Sequence, residues 1–319
     1  MSRKADRYVW DPAADDHELA KACKSLRAGR RLEAGSVLAG TRKDHGLRAH
    51  RSLVLASVAA DSDVVERWVA EEPDPDALLL AARTAAIRAL RAAELGDERA
   101  TDLAALAQAD CLRAADALPE DPTPWAALLA VARLEEHSYP GPEGLENVQG
   151  PWEVMRELWK RDPLHREGHH QLLGYFFARH GGSHEIMWDV AWWVRARAPA
   201  GSELLLLPLV AQAEHYRSRA ERPGPGTAFG WDTQGAKLQA LAVFDDWFPH
   251  RDKYSQFTPV HDLSYLGHAL CAGGMYLEAR PVLDAMGQYA TAMPWSLFGD
   301  PAEHLSRARA LVGLRALGR

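Results

Sequence analysis

The chain has 319 residues, room for one large or two ordinary domains, and its 47% hydrophobic and 25% charged residues are the balance of a globular protein. A formal charge of −7, from 37 Lys and Arg against 44 Asp and Glu, argues against a general nucleic-acid binder, which needs surplus cations to neutralise phosphates. No apolar run nears the roughly 20 residues of a membrane-spanning helix; Leu204 to Val210, for example, has seven residues including Pro208.

The N-terminus, Met1-Ser2-Arg3-Lys4-Ala5-Asp6, runs into charged sequence without the apolar core of a signal peptide, so the expected location is cytoplasmic. Helical spacing then dominates. It is clear over 78–95, where Leu78, Leu79, Ala82, Ala85, Ala86, Leu90 and Ala93 recur at three and four residues. Leu103, Leu106, Ala107, Cys111 and Ala114 repeat the pattern. About 14 helices are expected: near 15–32, 45–60, 62–71, 75–95, 99–117, 122–137, 150–161, 163–180, 184–198, 202–221, 233–248, 259–272, 275–290 and 300–317. Their junctions carry Asp and Pro signals at Pro75, Pro122, Pro163 and Pro199, in steps of 47, 41 and 36 residues, the length of a helix pair with its turns. Two longer Pro-Gly loops interrupt the pattern, 138–149 and 222–232. The second carries Phe229 and Trp231 and is read as a pinned surface loop or as a flap over a groove.

The two parts of the chain differ in character. Residues 1–120 are an Ala- and Arg-rich scaffold, whereas 121–319 hold nine of the eleven Trp and eleven of the fourteen His. Three scattered cysteines, Cys23, Cys111 and Cys271, form neither a disulfide framework nor a CxxC zinc site.

Residues 263–283 have a grammar of their own. Leu263, Leu266, Gly267 and Leu270 are followed by a Gly273-Gly274 turn and then by Ala279 and Leu283. This segment resembles a tetratricopeptide repeat, in which a small residue beside the leucine lets two antiparallel helices approach closely. A less complete copy runs through His170, Leu173, Gly174, Phe177 and Gly181-Gly182, and a fainter one follows Pro122 with Trp125 and Leu128. The chain is also similar to uncharacterised helical-repeat proteins of high-GC bacteria. The resemblance implies an all-α fold, an α-solenoid of stacked antiparallel helix pairs forming one superhelix. It also implies a concave groove lined by His261, Ser264, His268 and Cys271 in the first copy and by Gln171, Tyr175 and Arg179 in the second. Pro281 departs from it, standing inside the second helix, which must start late or kink.

Catalytic patterns are missing: there is no Walker A sequence, no GxSxG and no dinucleotide fingerprint. His165 and His169 are four apart, the spacing of two metal ligands on one helix face. In His165-Arg166-Glu167-Gly168-His169, however, the glutamate is one place too late for the zinc-protease pattern, and His169 continues the apolar stripe of Leu172, Leu173, Phe176 and Phe177. The expectation is therefore a non-enzymatic protein without a cofactor or catalytic residues, binding a protein or peptide partner in the groove. A histidine-rich metal protein or enzyme, or a helical protein enclosing a small ligand among its Trp side chains, is the alternative.

Overall fold

The computed structural model describes residues 8–220, 230–254 and 257–315. Among them are fifteen α-helices and one pair of two-residue strands, so the fold is all-α. The chain divides into two compact units, residues 16–186 and residues 1–15 with 187–319. The expected boundary at 120 falls inside the first unit. It is bridged there by a buried ion pair between Arg48 and Asp121.

Residues 16–186 contain α1 (His17–Arg27), α2 (Leu32–Ala39), α3 (His45–Ala59), α4 (Val64–Glu71), α5 (Pro75–Glu94), α6 (Ala100–Ala117), α7 (Thr123–Ala132), α8 (Trp152–Arg161) and α9 (Arg166–Tyr175). Side-chain acceptors start several of them by satisfying orphan amides of the first turn. Asp16 accepts from the Leu19 amide, Asp44 from Leu47, and Asp74 from both Asp76 and Ala77, with Pro75 in the first turn. The region expected as one helix over 15–32 breaks at Gly29, whose φ of +74° is open to glycine, and a further helix, α2, follows. The expected loop over 138–149 folds back on itself through β1 (Tyr139–Pro140) and β2 (Gln149–Gly150).

The centre of this unit is the α5–α6 hairpin. Its turn leaves α5 through Gly96 at φ +68°, with Asp97 N–H donating to Ala92 and Gly96 N–H to Ala93. Alanines line the contact. Ala86, Ala89, Ala104 and Ala107 pack with Val131, and Ala82 and Ala114 pack with Cys111 and Ala127. Small side chains at a helix contact bring the axes close, so α5 and α6 behave as one slab under α7.

The second unit has α10 (His184–Arg195), inside which the division falls after Ile186, then α11 (Leu207–Ala220), α12 (Gln234–Trp247), α13 (Val260–Ala272), α14 (Tyr276–Ala285) and α15 (Pro301–Leu311). Residues 8–15 belong here. Val9 donates to Gln288 and accepts from Ala290, and the Tyr8 hydroxyl meets that of Ser306 at 3.1 Å. α13 packs against α11, α12 and α14, and every residue from Asp262 to Leu270 is buried. A helix apolar or packed on all sides is a core helix rather than a surface one. The loop over 222–232 lies outside the described residues up to Phe229, whereas Trp231 is buried.

Candidate functional site

The burial of α13 removes half of the expected groove. Ser264 is fully buried and His268 is 4% exposed, so neither lines an open surface. His268 is enclosed by Trp231 and Trp295, edge-on at 4.9 and 5.1 Å between ring centroids, and by Phe298, stacked at 5.3 Å. Burial, with His304 nearby, lowers its pKa to about 3, so the imidazole is neutral. Cys271 is partly buried, and burial raises its thiol to about 12, too high for a ready nucleophile. His261 remains partly exposed, edge-on to Tyr265 and 4.0 Å from Asp262. Ser264 and His268 lie inside because α11, α12 and α14 pack around α13, whereas His261 and Cys271, at its two ends, stay partly exposed.

The other three expected groove residues belong to the 16–186 unit. Gln171 is half-buried. The Tyr175 hydroxyl accepts from the His137 amide at 3.2 Å, and Arg179 is exposed with its guanidinium over the Phe177 ring. The second repeat copy also lacks the close approach its glycine implies. A Cβ on Gly174 would meet nothing within 4 Å, and α9 ends at Tyr175, before Phe177.

His165 and His169 have structural places. His165 is the cap of α9 rather than part of its face, and its Nδ1 accepts from the Gly168 amide at 3.2 Å. His169 Nδ1 bonds to the His165 carbonyl at 2.9 Å, while Trp159 Nε1–H donates to its Nε2 at 3.1 Å. With the proton on Nδ1, neither nitrogen of His169 is left for a metal. Burial lowers its pKa to about 4. Glu167, the carboxylate of the tempting sequence, is also committed: Arg83 Nη2 donates to both of its oxygens, at 2.8 and 2.7 Å, deep in the unit. Among the described residues no group of three or more His, Cys, Asp or Glu side chains is arranged to hold a metal ion.

A second buried ionic group ties α3, α5 and the start of α7. Arg48 bonds to Asp76 at 2.6 Å, to the Leu38 carbonyl at 2.8 Å and to Asp121. Burial works to raise the Asp121 carboxyl, but the Arg48 guanidinium and the Thr123 amide outweigh it and hold the group below its usual range. Such a buried pair fixes geometry more than it adds stability, because desolvation offsets the attraction.

An open concavity lies elsewhere, in the 16–186 unit. α4, α5 and α6 enclose a cleft of about 400 Å³. Val69 and Ala70 of α4, Ala81 and Ala85 of α5, and Leu103 and Leu106 of α6 form its apolar lining. Its shape follows from the lengths of the helices: α4 has eight residues, while α5 and α6 have 20 and 18, so α4 covers only part of the slab. Trp68 anchors α4 by burying its ring beside Gly35 and donating to Asp74 at 3.1 Å. Four ionisable groups rim the cleft in two ion pairs, Arg88 with Glu66 and Arg113 with Asp110. Burial raises the Asp110 carboxyl, Arg113 opposes this and Glu66 adds to it.

Sequence reasoning missed this cleft, although one signal was present. Leu106 was placed in the same stripe as Ala107, Cys111 and Ala114, yet those three are buried and Leu106 is 62% exposed. The core stripe runs through Ala104, Ala107, Cys111 and Ala114, and Leu106 stands off it on the cleft side. Comparison with known proteins adds nothing to this picture: no family model, curated protein or solved structure matches the chain.

Proposed function

We propose that this chain is a non-enzymatic, cytoplasmic interaction protein that takes the apolar face of an amphipathic helix into the α4–α5–α6 cleft. The observation carrying the reading is the open apolar trough with Leu106 uncovered on its wall. Lining positions 103, 106, 110 and 113 of α6 run about 15 Å along its axis, and 81, 85 and 88 of α5 about 10 Å. Anchors at i, i+3, i+4 and i+7 of an entering helix span about 10 Å, so the trough matches two turns of a docked helix. Its rim charges pair with one another, which leaves apolar contact as the main attraction.

The stacked helix-pair, tetratricopeptide-like reading of the chain belongs to the same proposal. In it α13–α14 is the repeat hairpin with the fullest grammar, and α5–α6 is a helix pair that offers the groove in place of α13. Among the described residues no helix is long and apolar enough to cross a membrane.

The test is selection from a displayed library of amphipathic helices of about fourteen residues, roughly 21 Å long. Enriched peptides should compete with one another and lose at least about tenfold in affinity on Leu106→Glu and on Ala70→Glu, both at exposed positions. Circular dichroism should show both variants folded. No enrichment, or peptides indifferent to both substitutions, would remove the cleft as the binding site.

A further inference from the structure

The outward face of α6, opposite the buried Ala104, Ala107, Cys111 and Ala114, carries its charges in a self-complementary order. Arg99, Asp102, Leu106, Ala109, Arg113 and Asp116 are all exposed, and they follow one another at spacings of 3, 4, 3, 4 and 3 residues. These positions share one face of the helix, with Leu106 and Ala109 at its centre and charges on either side. Laid antiparallel against a copy of itself about the point between Ala107 and Gln108, the row is self-complementary. Arg99 faces Asp116, Asp102 faces Arg113, and Leu106 faces Ala109, each pairing occurring twice. A parallel alignment would set Arg99 on Arg99 and Asp102 on Asp102, so the charges select the antiparallel one.

We propose that a second copy of this chain is the occupant of the cleft face, docking its α6 antiparallel along α6 about a two-fold axis. This rests on the cleft reading, because Leu106 and Arg113 belong to both the seam and the cleft lining. The charges are free to re-pair. Arg99 and Arg113 are bound only to Asp97 and Asp110 of their own chain, in solvent-exposed ion pairs that are worth little. Asp102 and Asp116 have no ion-pair partner among the described residues.

Sedimentation of the full chain over a range of concentrations tests the proposal. The expected result is a mass rising from that of one chain toward that of two, with the association weakened by salt as exposed ion pairs are screened. Two charge variants make the test specific. Arg99→Asp with Arg113→Asp leaves the seam all acidic, and Asp102→Arg with Asp116→Arg leaves it all basic. Each alone should sediment as a single chain, and an equimolar mixture should restore the dimer.

A protein that stays a single chain up to about 100 μM, a concentration that would detect even weak association, overturns the proposal. So does a dimer that both variants retain, or a mixture that fails to associate. Selection of Leu106-sensitive peptides in any of those cases leaves the cleft reading standing with another helix as occupant. Failure of both experiments removes both.

Discussion

His268 is enclosed by the rings of Trp231, Trp295 and Phe298, and its neutral state is part of how the second unit holds together. Its pKa is about 3 in the folded chain against an ordinary value of 6.5, with burial as the first cause. The sign follows from proton binding: below pH 6.5 the unfolded chain takes up a proton that the folded chain refuses. The stability associated with neutral His268 is therefore complete above 6.5 and is lost as pH falls from 6.5 toward about 3. His268→Phe, which keeps an aromatic ring without the titrating group, should flatten the fall of the unfolding midpoint across that window, measured by thermal melts at several pH values. A slope unchanged from the parent would mean that His268 titrates freely. His45 works in the opposite sense, since its bond to Asp162 raises its pKa. At this scale the sequence showed which residues carry chemistry but not their exposure. Ser264 and His268 sat at plausible surface positions of a repeat, and only the covering of α13 by α11, α12, α14, Trp231 and Trp295 puts them inside.

The two Leu-Gly pairs show what a helix pattern can and cannot convey. Both read alike in sequence, yet a Cβ on Gly267 would stand 2.8 Å from the Leu283 Cδ2 of α14, while one on Gly174 would meet nothing. Gly267 is thus a packing glycine between α13 and α14, and Gly174 is a glycine in the last turn of α9 with open space beside it and only a backbone-entropy cost. Gly174→Ala should raise stability by about 0.5–1 kcal/mol, the usual gain of alanine over glycine in a helix. Gly267→Val should lower it by about 1–3 kcal/mol through overpacking. Urea denaturation of the two variants checks both, and equal effects would show that the two helices are not in close approach. Pro281 makes a related point. α14 starts at Tyr276 and continues past Pro281 to Ala285, so it does not start late. The proline and Leu277, whose carbonyl loses its partner, are both exposed, which lets water take the freed acceptor. Helix positions were legible because caps and apolar spacing are local. α2 was missed because Gly35 interrupts its apolar row, a glycine placed against the Trp68 ring. The cleft was missed because alanines that pack two helices tightly carry no more apolar signal than alanines left bare.

The two ends of the chain meet in one unit. The unit containing 187–319 is completed by residues from the opposite end of the chain, through Val9 between Gln288 and Ala290 and through Tyr8 on Ser306. Nothing in the composition at the N-terminus announces this, since a single extended pairing of one residue has no periodicity to read. The division expected at 120, where Ala and Arg give way to Trp and His, follows composition. The observed division follows packing, and the two separate because the alanine-rich α5–α6 slab closes its core on Ala127, Leu128 and Val131 of α7 and on Leu134 just past it. The tie made by Val9 can be cut at one atom. Val9→Pro removes the N–H that donates to Gln288 and leaves the carbonyl that accepts from Ala290. Loss of that bond should loosen residues 8–15 where they meet the 287–290 turn and, through the Tyr8–Ser306 contact, α15. Hydrogen exchange should then quicken at the Ala290 amide and along α15, with α5 and α6 serving as the internal reference. The direction is fixed by local opening: amides protected by a segment that has come loose exchange at the free energy of that opening rather than of global unfolding. Unchanged protection at Ala290 would mean that residues 8–15 follow the fold of 187–319 without supporting it.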